Sequence, residues 1–198
     1  VEFARTHAVH LPVRSAFTWE QGTWVSNEEP SVEDPIISGV VTDMTEAKVT
    51  VLGVPDRPGI SAALFEPLAE SNVNVDMIVQ NTSTEGTTDI SFTMPMADLA
   101  QAESIVQRVA LEIGATEVTH DDDIAKVSLV GAGMKSSPGI AAKMFRVLAD
   151  EDINLQMIST STIRVSIIIP AGDMERAARS LHTAFGLDSG SDYSAPLP

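Results

Sequence analysis

Lys48-Val-Thr-Val-Leu-Gly53, followed by Pro58-Gly-Ile-Ser-Ala-Ala-Leu-Phe65 and Val73-Asn-Val-Asp-Met-Ile78, is written a second time in this chain. Roughly 80 residues later come Lys126-Val-Ser-Leu-Val-Gly131, Pro138-Gly-Ile-Ala-Ala-Lys-Met-Phe145 and Ile153-Asn-Leu-Gln-Met-Ile158, the sign of two copies of one small domain. Each copy carries a glycine-bearing loop between strand and helix, so each offers a potential ligand pocket.

Working outward, Val49 to Val54 reads as a β-branched strand and Asp56-Arg-Pro-Gly59 as a turn opening a helix, with Pro58 in its first turn. Ile60, Leu64, Phe65 and Leu68 recur at helical spacing, and Asn72 ends the helix. Strands are expected over Val73 to Gln80 and Thr87 to Thr93, a helix over Asp98 to Ile113, and a closing strand at Glu117 to His120. The order β-α-β-β-α-β is the ferredoxin-like arrangement. The second copy repeats it: a strand from Lys126 to Gly131, a helix from Pro138 to Ala149, strands at Asn154 to Ser161 and Arg164 to Ile169, and a helix from Gly172 to Phe185. It lacks a last strand. The apolar stretch Ile36 to Thr42 is expected to supply one, which makes the first module an insertion in the second.

The flanks are simpler. Val1 to Val25 holds a short amphipathic stretch, a strand at Val9 to Arg14 and a turn at Gly22; Ser26 to Pro35 reads as an acidic linker, and residues 188–198 as a loose tail. The expected boundaries are residues 1–34, then 44–122 for the first module, and 35–43 with 123–187 for the second. The chain begins with Val in sequence resembling a protein interior, so it is expected to be a fragment or processed product.

A net charge of −16, from 28 acidic against 12 basic residues, argues against nucleic acid or an anionic membrane as partner. With no cysteine there is no disulfide frame and no thiolate chemistry. No apolar run approaches the ~20 residues of a membrane span and no signal peptide leads the chain, so a cytoplasmic protein is expected.

The loop Gly53-Val-Pro-Asp-Arg-Pro-Gly59 is the leading ligand candidate. The N–H groups of a helix N-terminus favour a carboxylate, and Asp56 suits an ammonium; together they suit a free amino acid. The same residues also fit a structural role, with Asp56 capping the helix and Gly59 permitting close packing. In the second loop Ser136 takes the place of Asp56 with Lys135 beside it, so the two pockets should differ. Gly131-x-Gly133 lacks the third glycine and ribose-binding acid of a dinucleotide site. Asp121-Asp122-Asp123 reads as a solvated turn, the four histidines have no metal-ligand spacing, and Ser159 to Thr162 has no adjacent base. No catalytic or metal site is expected in this chain.

Asp56-x-Pro-Gly59, Asn74-Val-Asp-Met-Ile-Val-Gln-Asn81, Lys126-Val-Ser-Leu-Val-Gly-Ala-Gly-Met134 and Met157-Ile-Ser-Thr-Ser161 resemble the regulatory part of bacterial aspartate kinases, over about Pro35 to Leu187. Val13-Arg-Ser-x-Phe17 and Gly22-Thr-Trp-Val25 resemble the end of that family's catalytic domain, a segment that a free-standing amino-acid-sensing tandem regulating another protein would not need. The resemblance implies an α+β fold, tandem ferredoxin-like βαββαβ ACT domains with the first inserted into the second. It further implies a homodimer working with an aspartate kinase catalytic subunit or domain. ATP and Mg are expected only in that catalytic part, which phosphorylates L-aspartate and stands outside this chain; no cofactor is expected here.

The same resemblance implies threonine as feedback inhibitor between the first module of one chain and the second of its partner, with lysine a second candidate. Asp56 would take the ammonium, the backbone at Pro58, Gly59 and Ile60 would line the pocket, and Gln80 would reach in. Asn154 and Leu155 would come from the other chain, and Asn74, Asp76 and Gln156 complete the expected effector set. The family commonly has Asn-Ile-Glu-Leu-Ile-Ser-Thr-Ser-Glu-Ile-Arg where this chain has Asn154-Leu-Gln-Met-Ile-Ser-Thr-Ser-Thr162-Ile-Arg164. The loss of acids at Gln156 and Thr162 points to weakened lysine sensing.

Overall fold

Strict alternation along the central strands decides where each module puts its core. The computed structural model of the chain describes residues 9, 11–18, 22–25, 37–81, 86–131 and 139–188. The chain divides after Pro35 into two units. In the first unit, Leu11–Val13 (β1) and Thr23–Val25 (β2) pair antiparallel, a shorter first strand than the sequence suggests. The expected amphipathic start, the linker at 26–35, the loop at 132–138 and the tail from 189 lie outside the described residues.

The second unit holds Gly39–Asp43 (β3), Glu46–Pro55 (β4), Ile60–Glu70 (α1), Ile78–Gln80 (β5), Thr87–Pro95 (β6), Leu99–Ile113 (α2) and Glu117–Asp121 (β7). Ile124–Val130 (β8), Ile140–Asp150 (α3), Met157–Thr160 (β9), Arg164–Pro170 (β10) and Met174–Ala184 (α4) follow. They form two antiparallel four-stranded sheets, ordered β5-β6-β4-β7 and β3-β8-β10-β9. This is the expected α+β tandem. β3, within the apolar stretch 36–42 and one residue beyond it, sits on the edge of the second sheet beside β8.

In the first sheet, Val49, Val51, Ile90, Phe92 and Met94 turn one face toward Leu64 and Leu68 of α1 and toward Ala102, Val106 and Val109 of α2. Phe65 meets Phe92 edge-on at 5.2 Å. In the second sheet, Val127, Leu129, Val165, Ile167 and Ile169 pack on Met144, Leu148, Ala177 and Leu181. Each fully buried Leu or Phe contributes about 1.5–3 kcal/mol. Period 2 sends the intervening residues to the other face, and there the modules meet. Met77 of the first module and Ile124, Met157 and Ile168 of the second form a third buried cluster.

The helices begin later than the proline suggests. Gly59 and Gly139, with φ of 92° and 100°, precede α1 and α3, so Pro58 lies in the turn and not in the helix. A Cβ on either glycine would meet nothing within 4 Å, so backbone conformation and not close packing demands glycine there. The strands after these helices also start late, at Ile78 and Met157. Asn72 and Asp152, left-handed at φ 59° and 55°, redirect the chain just after each helix. Thr93 then interrupts the ladder by accepting from Met77 N–H with its hydroxyl at 3.2 Å.

The meeting of the modules is polar at both ends of the methionine cluster. Lys126, nearly buried, donates to Glu46 and to Asp76 (2.7 Å) of the first module and lies 3.6 Å from Asp43. Lys48 donates to Gln156 and lies 3.6 Å from Asp121, which also accepts from Gln156 at 3.2 Å. Asp121 is therefore an ion-pair partner more than a solvated turn residue. Burial pulls the Lys126 pKa down, but hydrogen bonds to Asp76 and Glu46 and the attraction of both carboxylates outweigh it and hold it above 10.5. The Asp43 carboxyl is held below 3.8, first by the hydroxyl of Thr45, then by its N–H and by Lys126, against burial.

Gly53 has φ of 63°, lies at the bulge in β4, and a Cβ there would strike Thr116 Oγ1. Gly53→Ala should destabilise by on the order of 2 kcal/mol in thermal denaturation, more than Gly59→Ala, where only the backbone term of about 1 kcal/mol applies. Lys126→Met, leaving Glu46 buried and unpaired, should cost about 3–5 kcal/mol. Urea titrations should show the raised Lys126 contributing fully below pH 10.5 and losing that stability as pH rises through its pKa. The lowered Asp43 should contribute above pH 3.8 and lose it as pH falls through its own.

Candidate functional site

The turn between β4 and α1 is held from two sides. Asp56 N–H donates to Gly86 O at 2.9 Å, and Arg57 N–H to Pro55 O at 3.0 Å. Ile60 buries its side chain in the first core, so only its backbone faces the turn. Ile60 N–H donates to Arg57 O at 3.4 Å and the first full helical bond runs from Ala63 N–H to Gly59 O at 3.0 Å, which leaves the intervening N–H groups of Ser61 and Ala62 to face a ligand. Asp56, Pro58 and Gly59 are exposed.

No side chain caps α1, and the residue at its cap is Gly59. The capping role considered for Asp56 is thus not the one it has. Its carboxylate has no hydrogen bond or ion pair among the described residues. Gln80, at the end of edge strand β5, accepts from Ser61 Oγ at 3.1 Å through its amide oxygen. Asp56, Pro58, Gly59, Ile60 and Gln80 therefore gather at one end of the first module.

The remaining expected residues lie elsewhere. Asn74 is exposed on the segment leading to β5, and Asp76 lies four residues before Gln80, about 13 Å along an extended chain. Asp76 is engaged by Lys126 at 2.7 Å and by Arg164 at 3.9 Å. In the second module Asn154 is exposed, Leu155 packs against the second core, and Gln156 is engaged by Lys48 and Asp121. Among the described residues no hydrogen bond or ion pair joins Asn154 or Leu155 to the Asp56 turn. Thr162 is exposed in the tight β9–β10 connection, where Ser161 N–H donates to Arg164 O at 2.7 Å.

Two features escaped the sequence reading. A cavity of about 330 Å³ lies on the module-facing side of the second sheet, lined by Val41, Thr42, Asp43, Lys126, Ser128, Val130 and Arg164. None of the expected effector residues lines it. Lys48 and Lys126 were legible only as the first letters of the repeat, and their recurrence at one position of both copies was the available signal. Among the described residues no group of three or more His, Asp or Glu is placed to hold a metal ion. No helix there is long and apolar enough to cross a membrane.

Both modules match the ACT domain family, over residues 48–110 and 127–185. An aspartate kinase of Pseudomonas fluorescens (strain SBW25) is 50% identical over 190 residues, covering 96% of this chain and 46% of its own length. The chain thus spans about half the length of the curated relatives it matches. A crystal structure of aspartokinase alpha and beta subunits has a chain 48% identical to this one, with a TM-score of 0.71, matching 75% of this chain and 98% of its own. The regulatory subunit of aspartate kinase from Thermus thermophilus, ligand-free, is 41% identical with a TM-score of 0.73, over 76% of this chain and 99% of its own. The duplicated sheets, the glycine-started helices and these likenesses together establish that the chain belongs to the aspartate kinase family and carries its tandem-ACT regulatory region.

Proposed function

We propose that this chain senses an amino acid, threonine first, and transmits its binding to an aspartate kinase catalytic domain or subunit in the cytoplasm. The carrying observation is the exposed Asp56 carboxylate, without a partner among the described residues, next to the N-terminus of α1 in sequence. The pair offers an anion for the ammonium and N–H donors for the carboxylate, the two ends every free amino acid presents. Gln80 and the backbone at Pro58, Gly59 and Ile60 complete one wall.

The opposite wall comes from Asn154 and Leu155 of a second copy, so the working unit is a homodimer. β3 returning to the second sheet is read as the first module being inserted in the second, a topology that ties the two pockets to one scaffold. An effector that binds one arrangement of modules better shifts the population toward it. ATP, Mg and aspartate belong to the catalytic part, whose phosphoryl transfer this chain regulates and does not perform. Lysine is the second candidate effector, weakened by the neutral residue Thr162.

Calorimetric titration of the purified chain with L-threonine should give saturable heat, and Asp56→Asn should weaken it about tenfold or more, as for a lost charge-assisted hydrogen bond. Absence of heat with both threonine and lysine overturns the pocket. Thr162→Glu in the enzyme that includes the catalytic part should strengthen lysine inhibition; identical inhibition curves for parent and variant dispose of that role.

A further inference from the structure

The contacts between the modules repeat themselves with the sequence. Lys48 and Lys126 occupy the same position of the two copies, and so do Asp76 and Gln156. Lys126 of the second module donates to Asp76 of the first, and Lys48 of the first donates to Gln156 of the second. Each lysine stands opposite an aspartate in its own sheet, Lys126 opposite Asp43 and Lys48 opposite Asp121. Between these poles lie Met77 and Met157, next in sequence to Asp76 and Gln156.

The poles are unequal. At the Lys126 pole the ammonium is nearly buried, meets Glu46, Asp76 and Asp43, and has Arg164 3.9 Å from Asp76. Of these, the Lys126–Glu46 pair, 10% and 11% exposed, is the buried one, and such a pair is hard to break because separation strands a charge out of water. At the Lys48 pole the partner is a neutral amide. Gln156 accepts from Lys48 and donates to Asp121 at 3.2 Å, and both side-chain partners have solvent access, 18% and 33% exposed. Water can replace these bonds at little cost.

We propose that these residues form a two-pole clasp that sets the angle between the modules, anchored where Lys126 meets Glu46 and Asp76 and releasable at Lys48–Gln156. Asp76 and Gln156 are thereby positioning residues that act through the module arrangement, and the effector is bound by the Asp56 turn without them. The clasp stands on contacts within one chain and does not depend on which amino acid binds.

The chain has no cysteine, so a pair of spin labels can be placed cleanly at Ala69→Cys on α1 and Ala149→Cys on α3, both exposed. Pulsed electron–electron distance measurement, with labelled chain diluted in unlabelled chain, reads the angle between modules. The parent should give one narrow distribution. Gln156→Met and Lys48→Met should each broaden it, and the double variant should be no broader than Gln156→Met alone, because that change already removes the bonds to both Lys48 and Asp121. Gln156→Glu, which keeps the bond to Lys48 and loses the one to Asp121, should broaden it less than Gln156→Met. Lys126→Met should abolish the narrow component; should that variant not fold, the Lys48 pole still decides. Unchanged distributions in the Lys48 and Gln156 variants, or a double variant broader than both singles, overturn the clasp.

Discussion

An ammonium group almost out of water is the constraint on which the module arrangement rests. Lys126 is 9% exposed, and such a charge persists in a folded chain only where carboxylates surround it closely. Its three acids come from three separate strands or their flanks: Asp43 from β3, Glu46 from β4 and Asp76 from the segment before β5. One side chain of the second module thereby fixes the edge of its own sheet and two places in the first. Among the described residues Glu46 keeps one buried oxygen without a partner, so its charge depends on Lys126, while Arg164 reaches only Asp76. Adjacent to it, Ser128 and Ser166 satisfy each other at 2.8 Å, as Thr50 and Ser91 do at 2.9 Å in the first module. Hydroxyl pairs let the facing sides of both sheets be polar without stranding a group.

Much of this architecture was legible because it is local and periodic. The helical spacing of Ile60, Leu64 and Leu68 is a property of a single segment, and all three bury as the pattern says. Boundaries were less legible. A proline marked the helix start, yet the left-handed Gly59 behind it displaced that start to Ile60. The strand expected from Val73 begins at Ile78, since Asn72 redirects the backbone and the Thr93 hydroxyl takes a ladder donor, a side-chain choice no pattern encodes.

The candidate site divides along the same line. Asp56, Gly59 and Gln80 were legible because loop chemistry and helix ends are readable one segment at a time. Asp76 and Gln156 were read as effector contacts from the family pattern, and their engagement by Lys126 and Lys48 depends on two sheets facing each other. A lysine alternating with Val in a strand looks like a solvent-facing residue until a second sheet covers it. The recurrence of that lysine was visible; its partner was not.

Gln156 shows how the pattern and the structure differ in what they make of one substitution. Read against the family's glutamate, the amide is a lost charge. In the structure its oxygen accepts from Lys48 while its nitrogen donates to Asp121, two demands of opposite sense that only an amide meets. A carboxylate there would set two acids on one ammonium with no second base beside them, whereas the other pole has Arg164 to share its surplus. The neutral residue is therefore matched to its surroundings and is a weak place for an argument about lysine. Thr162 is different: exposed in a tight turn with no side-chain partner among the described residues, it has no local reason there to be neutral. The question of a second effector thus reduces from two substitutions to one.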